Sequence, residues 1–159
     1  MTAKEVQYAL TYSQSSPFYT RSHYVVPNVH WGLGFNHELD LLSISMDTRI
    51  GTEIEIKVSK GDLKRDLEKP HQHSDTRIRQ IYFAGPKELE EAFLEYCHPD
   101  AGIFTIYHDP GCRWNCRMIR NAKPRKQWRS FTERELLDLL RLGNLRYWSQ
   151  FHKQYRGQR

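Results

Sequence analysis

A chain of 159 residues is sized for one domain, residues 1–159, with its own core. Hydrophobic residues make up 38%, mean hydropathy is −0.77, and no run reaches about 18 apolar residues, so a membrane span is excluded and a strongly polar surface is required. The cysteines number three, which cannot all pair within one chain, and residues 1–10 hold no hydrophobic signal region; a soluble cytoplasmic protein is expected.

In chain order, residues 3–10 suit a short helix that Ser13-Gln-Ser-Ser-Pro17 ends. Tyr24 to Trp31, with Val25, Val26 and Val29, reads as a strand. Leu39 to Met46 and Gly51 to Val58 read as two more, joined by a turn at Asp47-Thr-Arg. Ser59 suits a helix N-cap with Asp62 three residues on; Leu63 and Leu67 share a face, and Pro70 limits the helix. After a loop over residues 71–75, Ile78 to Ala84 is strand-like, and Gly85-Pro86 opens a helix in which Leu89, Ala92, Phe93 and Tyr96 keep helical spacing. Ile103 to Tyr107 and Trp114 to Ile119 suit a hairpin across Asp109-Pro-Gly111. Ser130 or Thr132 caps a last helix that Gly143 is expected to interrupt, with a second short helix carrying Leu145, Trp148, His152 and Tyr155. The order predicts an α/β fold with a core over about 24–120 and a basic helical extension at 130–159.

The net charge of +5 conceals an asymmetry. Residues 1–109 carry 11 Lys/Arg against 16 Asp/Glu, a balance of −5, whereas residues 110–159 carry 13 against 3, a balance of +10. Arg113, Arg117, Arg120, Lys123, Arg125, Lys126 and Arg129 fall in a stretch with no acid, interleaved with Trp114 and Trp128. Such a surface suits a nucleic-acid backbone and a stacked base, the alternative being a solvated basic face anchored by its tryptophans. Arg113, Arg117, Lys123, Arg125 and Arg129, with Lys60 on the helix after the third strand, are the candidate nucleic-acid contacts.

Alternation puts Glu38 and Asp40 on one face of the second strand and Glu53, Glu55 and Lys57 on one face of the third, while Leu39, Leu41, Ile54, Ile56 and Val58 point into a core. Converging acids repel unless a proton or cation joins them, and carboxylate oxygens are ligands for magnesium. The competing reading is a set of cross-strand ion pairs on an exposed sheet face, each worth up to about 1 kcal/mol. His108, Cys112 and Cys116, with Cys97 and His98 upstream, lack the spacing of a tight zinc knuckle, and buried or hairpin cysteines are the expectation.

Asp40, then Glu55-Ile56-Lys57, followed by Ser59, Asp62, Asp66 and Lys69, resembles the active-site motif of the PD-(D/E)xK nuclease superfamily, closest in pattern to the small bacterial and phage MmcB-like DNA-repair group. Leu39 stands where the proline of that motif would be. Tyr82-Phe83-Ala84-Gly85-Pro86 and Ala101-Gly102-Ile103 resemble later core strands, so the likeness spans roughly residues 36–107, with Ala122-Lys123-Pro124 beyond it. The resemblance implies a restriction-endonuclease-like core, a central mixed sheet flanked by helices. It also implies magnesium- or manganese-dependent hydrolysis of DNA, endonucleolytic rather than exonucleolytic, in repair, restriction or phage DNA processing. Asp40 and Glu55 are then metal ligands together with the Ile56 carbonyl, and Lys57 completes the catalytic set. Glu5 matches an accessory acid in placement; Glu38, Glu53, His71 and His73 are open as further members. Enzymes of this kind that cut both strands often form homodimers, though no interface is legible. A catalytically silent protein of the same fold, binding nucleic acid or a protein partner, is the alternative.

Overall fold

The computed structural model describes residues 1–29, 33–67, 75–111 and 113–156. Trp31, Lys69, Pro70, His71, His73 and Cys112, and the side chains of Asp66 and Leu67, lie outside the described residues.

The chain forms one six-stranded mixed sheet flanked by helices. Its strands are β1 (His23–Val29), β2 (Leu39–Ser45), β3 (Gly51–Ile56), β4 (Ile78–Pro86), β5 (Gly102–His108) and β6 (Trp114–Arg120), in that spatial order. Pairs β1–β2, β2–β3 and β5–β6 are antiparallel; β3–β4 and β4–β5 are parallel. Parallel pairing requires a crossover. Helix α2 (Lys60–Leu67) lies in the first, and a short 3-10 turn, Lys87–Leu89, with α3 (Glu90–Tyr96) lies in the second.

Helix α1 (Ala3–Tyr12) covers one face of the sheet. Its Val6, Ala9 and Leu10 join Leu41, Ile54, Ile56, Tyr82, Ala84, Phe104 and Ile106 in one core. Thr2 starts it through a capping box: the Glu5 N–H donates to Thr2 Oγ1, and the Thr2 N–H donates to the Glu5 carboxylate at 2.6 Å. The opposite face carries two clusters. Leu42, Ile44, Ile78, Phe131, Leu139 and Leu142 pack beneath α4 (Glu133–Arg156), and Leu63, Phe83, Phe93 and Ile103 pack beneath α2 and α3. Both faces of the central strands are therefore covered, as expected where crossover helices flank parallel strands.

Two expectations differ from the observed backbone. Pro86 still pairs with Ile106 as strand, so the following helix opens later, through the 3-10 turn. Helix α4 runs unbroken for 24 residues through Gly143. A lone glycine costs a helix only about 1 kcal/mol, and residues on both sides hold α4 in place. Leu139 and Leu142 are buried, and Arg146 donates to the carbonyls of Pro27 and Asn28 on β1. The first half of α4 is thus part of the core, while Leu140, Leu145, Tyr147, Trp148 and Tyr155 are exposed. The Thr132–Glu135 capping box expected at its start is present, with the Glu135 N–H on Thr132 Oγ1 at 3.2 Å and the Thr132 N–H on Glu135 at 2.8 Å. Among the described residues, no helix is long and apolar enough to cross a membrane.

Candidate active site at the end of the third strand

Register explains how the acids meet. Leu42 pairs with Glu53 across β2–β3, so Asp40, two residues earlier, falls on the same face opposite Glu55. The ladder ends at the Leu41–Ile54 pair. Beyond it the Asp40 carboxylate replaces a strand partner, accepting the Ile56 N–H on Oδ2 at 2.8 Å. A strand residue's carbonyl points to the same side as its N–H, so the Ile56 carbonyl is directed toward Asp40. Gln7 of α1 donates to the Asp40 carbonyl at 3.3 Å, fixing this end of β2 from the other face.

Lys57 closes the group. Its Nζ lies 2.9 Å from Glu55 Oε2 and 4.0 Å from Asp40 Oδ2. Its own N–H donates to the Ala84 carbonyl, extending the parallel pairing past the end of β3. Gly85 makes this possible: a Cβ there would stand 2.1 Å from the Lys57 carbonyl oxygen. The alternation of charge on β3 is not an exposed face. Glu53, Glu55 and Lys57 are only 1%, 4% and 4% exposed, which removes the reading of these residues as surface ion pairs. Asp40, with 38% of its side chain exposed, is where the group meets solvent.

Burial without full pairing shapes the electrostatics. Glu55 Oε1 is buried and, among the described residues, has no hydrogen-bond partner. Desolvation pushes the Glu55 carboxyl up to about 7; Lys57 opposes this, while Asp40 and Glu53 add to it. Glu53 is met by His37, whose Nε2 lies 2.6 Å from Glu53 Oε1. The donor set thus fits a hard divalent cation: two carboxylates, one with an unsatisfied oxygen, beside a carbonyl.

The structure brings together Asp40, Glu55, Ile56 and Lys57, and it adds Glu53 and His37. His37 is absent from the sequence reading. The signal for it was slight: it stands in Asn36-His37-Glu38, directly ahead of the acid-bearing strand. Glu38 is exposed, and Glu5 is committed to capping α1 on the other face of the sheet. Cys97 and Cys116 belong to cores on opposite faces, so they share no site; burial pushes the Cys116 thiol up to about 12.

The candidate nucleic-acid contacts are dispersed. Lys60, at the start of α2, pairs with Glu95 at 3.6 Å and lies over the Tyr96 ring. Arg113 pairs with Asp109 at 3.2 Å in the β5–β6 hairpin, and Lys123 with Asp100 at 2.7 Å. Arg125 donates to the carbonyls of Asp75 and Ile78, and Arg129 is held by Glu135 at 2.6 Å. Arg117 is exposed on β6 and makes no ion pair among the described residues. Through Thr105 it shares the sheet face of Gly85 and Glu55. The segment holding Lys123, Arg125 and Arg129 runs along the far end of the sheet, where the Arg125 N–H meets the Arg79 carbonyl. Five strand residues, about 17 Å, separate that point from Ala84 beside Lys57. Trp114 packs against the α1-side core and Trp128 is stacked by Arg79, so both tryptophans are partly committed to the fold.

Comparison of the chain with protein-family models, curated proteins and solved structures found no match. The function therefore has to be argued from the site.

Proposed function

We propose that the chain is a magnesium- or manganese-dependent nuclease that hydrolyses DNA phosphodiester bonds, an endonuclease with the restriction-endonuclease-like core of the PD-(D/E)xK proteins it resembles. One observation carries this reading: Glu55, buried and among the described residues with an unsatisfied oxygen, holds the buried Lys57 Nζ at 2.9 Å, and that nitrogen lies 4.0 Å from the solvent-facing Asp40. Such an arrangement lowers stability unless something binds there, which is common where function sets the residues.

Asp40 and Glu55 would hold the cation, with the Ile56 carbonyl as a third protein ligand. Bound there, a divalent ion supplies Lewis-acid polarisation of a phosphoryl oxygen and a water of lowered pKa. The Ile56 N–H orients Asp40, so that its carboxylate does not have to be ordered when substrate arrives. Lys57 is a fixed cation kept from water, and it stabilises charge that grows on the phosphorane or the attacking hydroxide. Arg117 and Lys60 supply contacts to the DNA backbone on the same side of the sheet, which position the duplex without reading its sequence.

The test is single-turnover cleavage of single-stranded, duplex and branched DNA with magnesium, manganese or chelator. Asp40→Asn should abolish cleavage. Lys57→Ala should keep the fold and the DNA affinity measured in calcium but cut slower by about 100-fold or more, as expected for loss of a preorganised charge. Full activity in excess chelator would sink the metal assignment. Tight DNA binding with no cleavage by wild type on any substrate would point to a silent protein of this fold.

A further inference from the structure

We propose that the outer face of α4 is a dimer interface, on which a second copy of this chain packs its own α4 antiparallel about a two-fold axis beside Asn144. The contact does not depend on what the group at the end of β3 does.

Helix α4 carries two apolar faces. Leu139 and Leu142 point into the core, and Arg146 ties the same side of the helix to the carbonyls of Pro27 and Asn28. About a third of a turn away, Leu137, Leu140, Asn144, Tyr147 and Phe151 follow one another in steps of three and four. That is the heptad spacing of a helix–helix seam, with one polar residue at its middle to fix register and copy number. Trp148 and Tyr155 widen the stripe. Leu137, Leu140, Tyr147, Trp148 and Tyr155 are between 49% and 62% exposed. At ~150–250 Å² per aromatic, the open parts of those three rings alone present roughly 300 Å², and the leucines and the flanking groove bring this toward the about 800 Å² per copy of a stable interface.

Packing within the chain does not account for this face. Beyond Arg146, α4 continues for ten residues, all exposed except the half-buried Phe151. A short helical extension with no covered face is marginal in water. Gly143 weakens the helix interior further, yet a Cβ there would meet nothing within 4 Å among the described residues. The missing side chain keeps open a groove that Gly143 lines with Tyr24, Val25, Val26, Leu140 and Tyr147.

Charge selects the occupant and its direction. Residues 133–143 hold Glu133, Glu135 and Asp138 against Arg134 and Arg141, a balance of −1; residues 144–156 hold Arg146, Lys153 and Arg156 and no acid, a balance of +3. Two parallel α4 helices would set +3 beside +3. Antiparallel, they set +3 beside −1 at both ends, and their dipoles oppose. Centring that register on Asn144 brings the two Asn144 amides together. It also sets Leu137 opposite Phe151 of the second copy, Leu140 opposite Trp148 of the second copy, and Tyr147 of the second copy over the groove at Gly143. Such a contact uses one patch on both copies and closes at two. Nucleobases match the face less well. Tyr147, Phe151 and Tyr155 already stack on one another along the helix, with centroids 6.4 and 4.8 Å apart, and Leu137 and Leu140 offer no ring to stack on.

The experiment is sedimentation velocity of the full chain, with cysteine cross-linking to fix the register. Across about 1–100 μM, wild type should form a species of twice the 19.0 kDa chain mass. Leu140→Glu and Tyr147→Glu, both on exposed side chains, should keep the fold by circular dichroism and each raise the dimer dissociation constant by about 30-fold or more, as for a central anchor. Under mild oxidation, Asn144→Cys should cross-link above the wild-type background. Leu137→Cys should not, because the register sets its two copies 14 residues, about 21 Å, apart along the helices. A wild type that is monomeric throughout, a dimer unchanged in both folded Glu variants, or Leu137→Cys cross-linking as well as Asn144→Cys would each overturn the proposal. If neither Glu variant folds, the cysteine pair decides in the same way. A monomer whose tryptophan fluorescence is quenched by single-stranded DNA, with the quench lost in Trp148→Phe, would give the face to nucleic acid and overturn the dimer.

Discussion

Replacing Glu55 by Gln should stabilise the metal-free protein at pH 8 and leave it nearly unchanged at pH 5. The group's ordinary value is 4.5, and burial raises it to about 7 in the folded chain. The folded state therefore binds this proton more tightly than the unfolded state. Its stabilising effect is complete below about pH 4.5 and is lost as pH rises through 7. At about 1.4 kcal/mol per pH unit, the ionised carboxylate lowers wild-type stability by roughly 3 kcal/mol at pH 8. Gln keeps the shape of the protonated acid and an oxygen for Lys57 Nζ, so it escapes this cost. Urea denaturation in chelator at pH 5, 6, 7 and 8 should show the wild-type and variant curves separating by 2 to 3 kcal/mol, on the order of the linkage estimate. Glu135 titrates in a different window: Arg129 and Thr132 hold it down at about 2, so its contribution is present above 4.5 and lost only on further acidification. Manganese or magnesium should restore wild type at pH 8 by binding the folded state alone, and should do far less for Glu55→Gln. A difference between the two proteins that is constant across pH would refute the argument, because it would mean that Glu55 ionises in the folded chain at its ordinary value.

Arg77→Ala should cost about 3–5 kcal/mol, as for removal of one partner from a buried ion pair. Arg77 is 7% exposed, and its guanidinium binds Asp75 through two nitrogens, donates to the Leu33 carbonyl and stacks on Phe35 at 4.0 Å; a loss below about 1 kcal/mol in chemical denaturation would place it with surface pairs. Arg117→Gln should reduce the slope of log affinity against log salt by about 0.7–0.9. Arg125→Gln should instead show its effect in thermal stability, because that side chain holds the Asp75 and Ile78 carbonyls; an unchanged slope for Arg117 and a changed one for Arg125 would reverse the two roles. Gly85→Ala should destabilise by about 1–3 kcal/mol and slow cleavage, since the added Cβ meets the Lys57 carbonyl and Phe93. Wild-type stability and rate would show that the backbone moves aside without cost.

The order of elements was legible because each strand has its own alternation and each helix its own cap. Thr132 with Glu135, Ser59 with Asp62, and the Asp109-Pro-Gly111 turn all fall where the residues suggested. Gly143 misled because a glycine penalty is local, whereas the helix around it is held by Leu139, Leu142 and Arg146 from a sheet distant in sequence. Pro86 misled for a related reason. Proline suits a helix start, but here it can end a strand because it lies at the sheet margin, opposite Ile106.

The site shows where alternation stops being informative. Period-two spacing put Asp40, Glu55 and Lys57 on one side of the sheet, and register bears that out. It could not say whether that side was covered. Coverage comes from α2, α3, α4 and the segment with Leu33 and Phe35, none of which carries a periodic link to β3. The same strand pattern in an uncovered sheet would be a row of solvated ion pairs worth little. Covered, it buries Glu53, Glu55 and Lys57 together and, among the described residues, leaves Glu55 Oε1 without a hydrogen-bond partner. His37 escaped the sequence reading because it reaches Glu53 from an aperiodic loop, and its role exists only once Glu53 is buried. The chemical character of the group is therefore a property of packing, and the strongest argument for a bound cation is the cost of the arrangement without one.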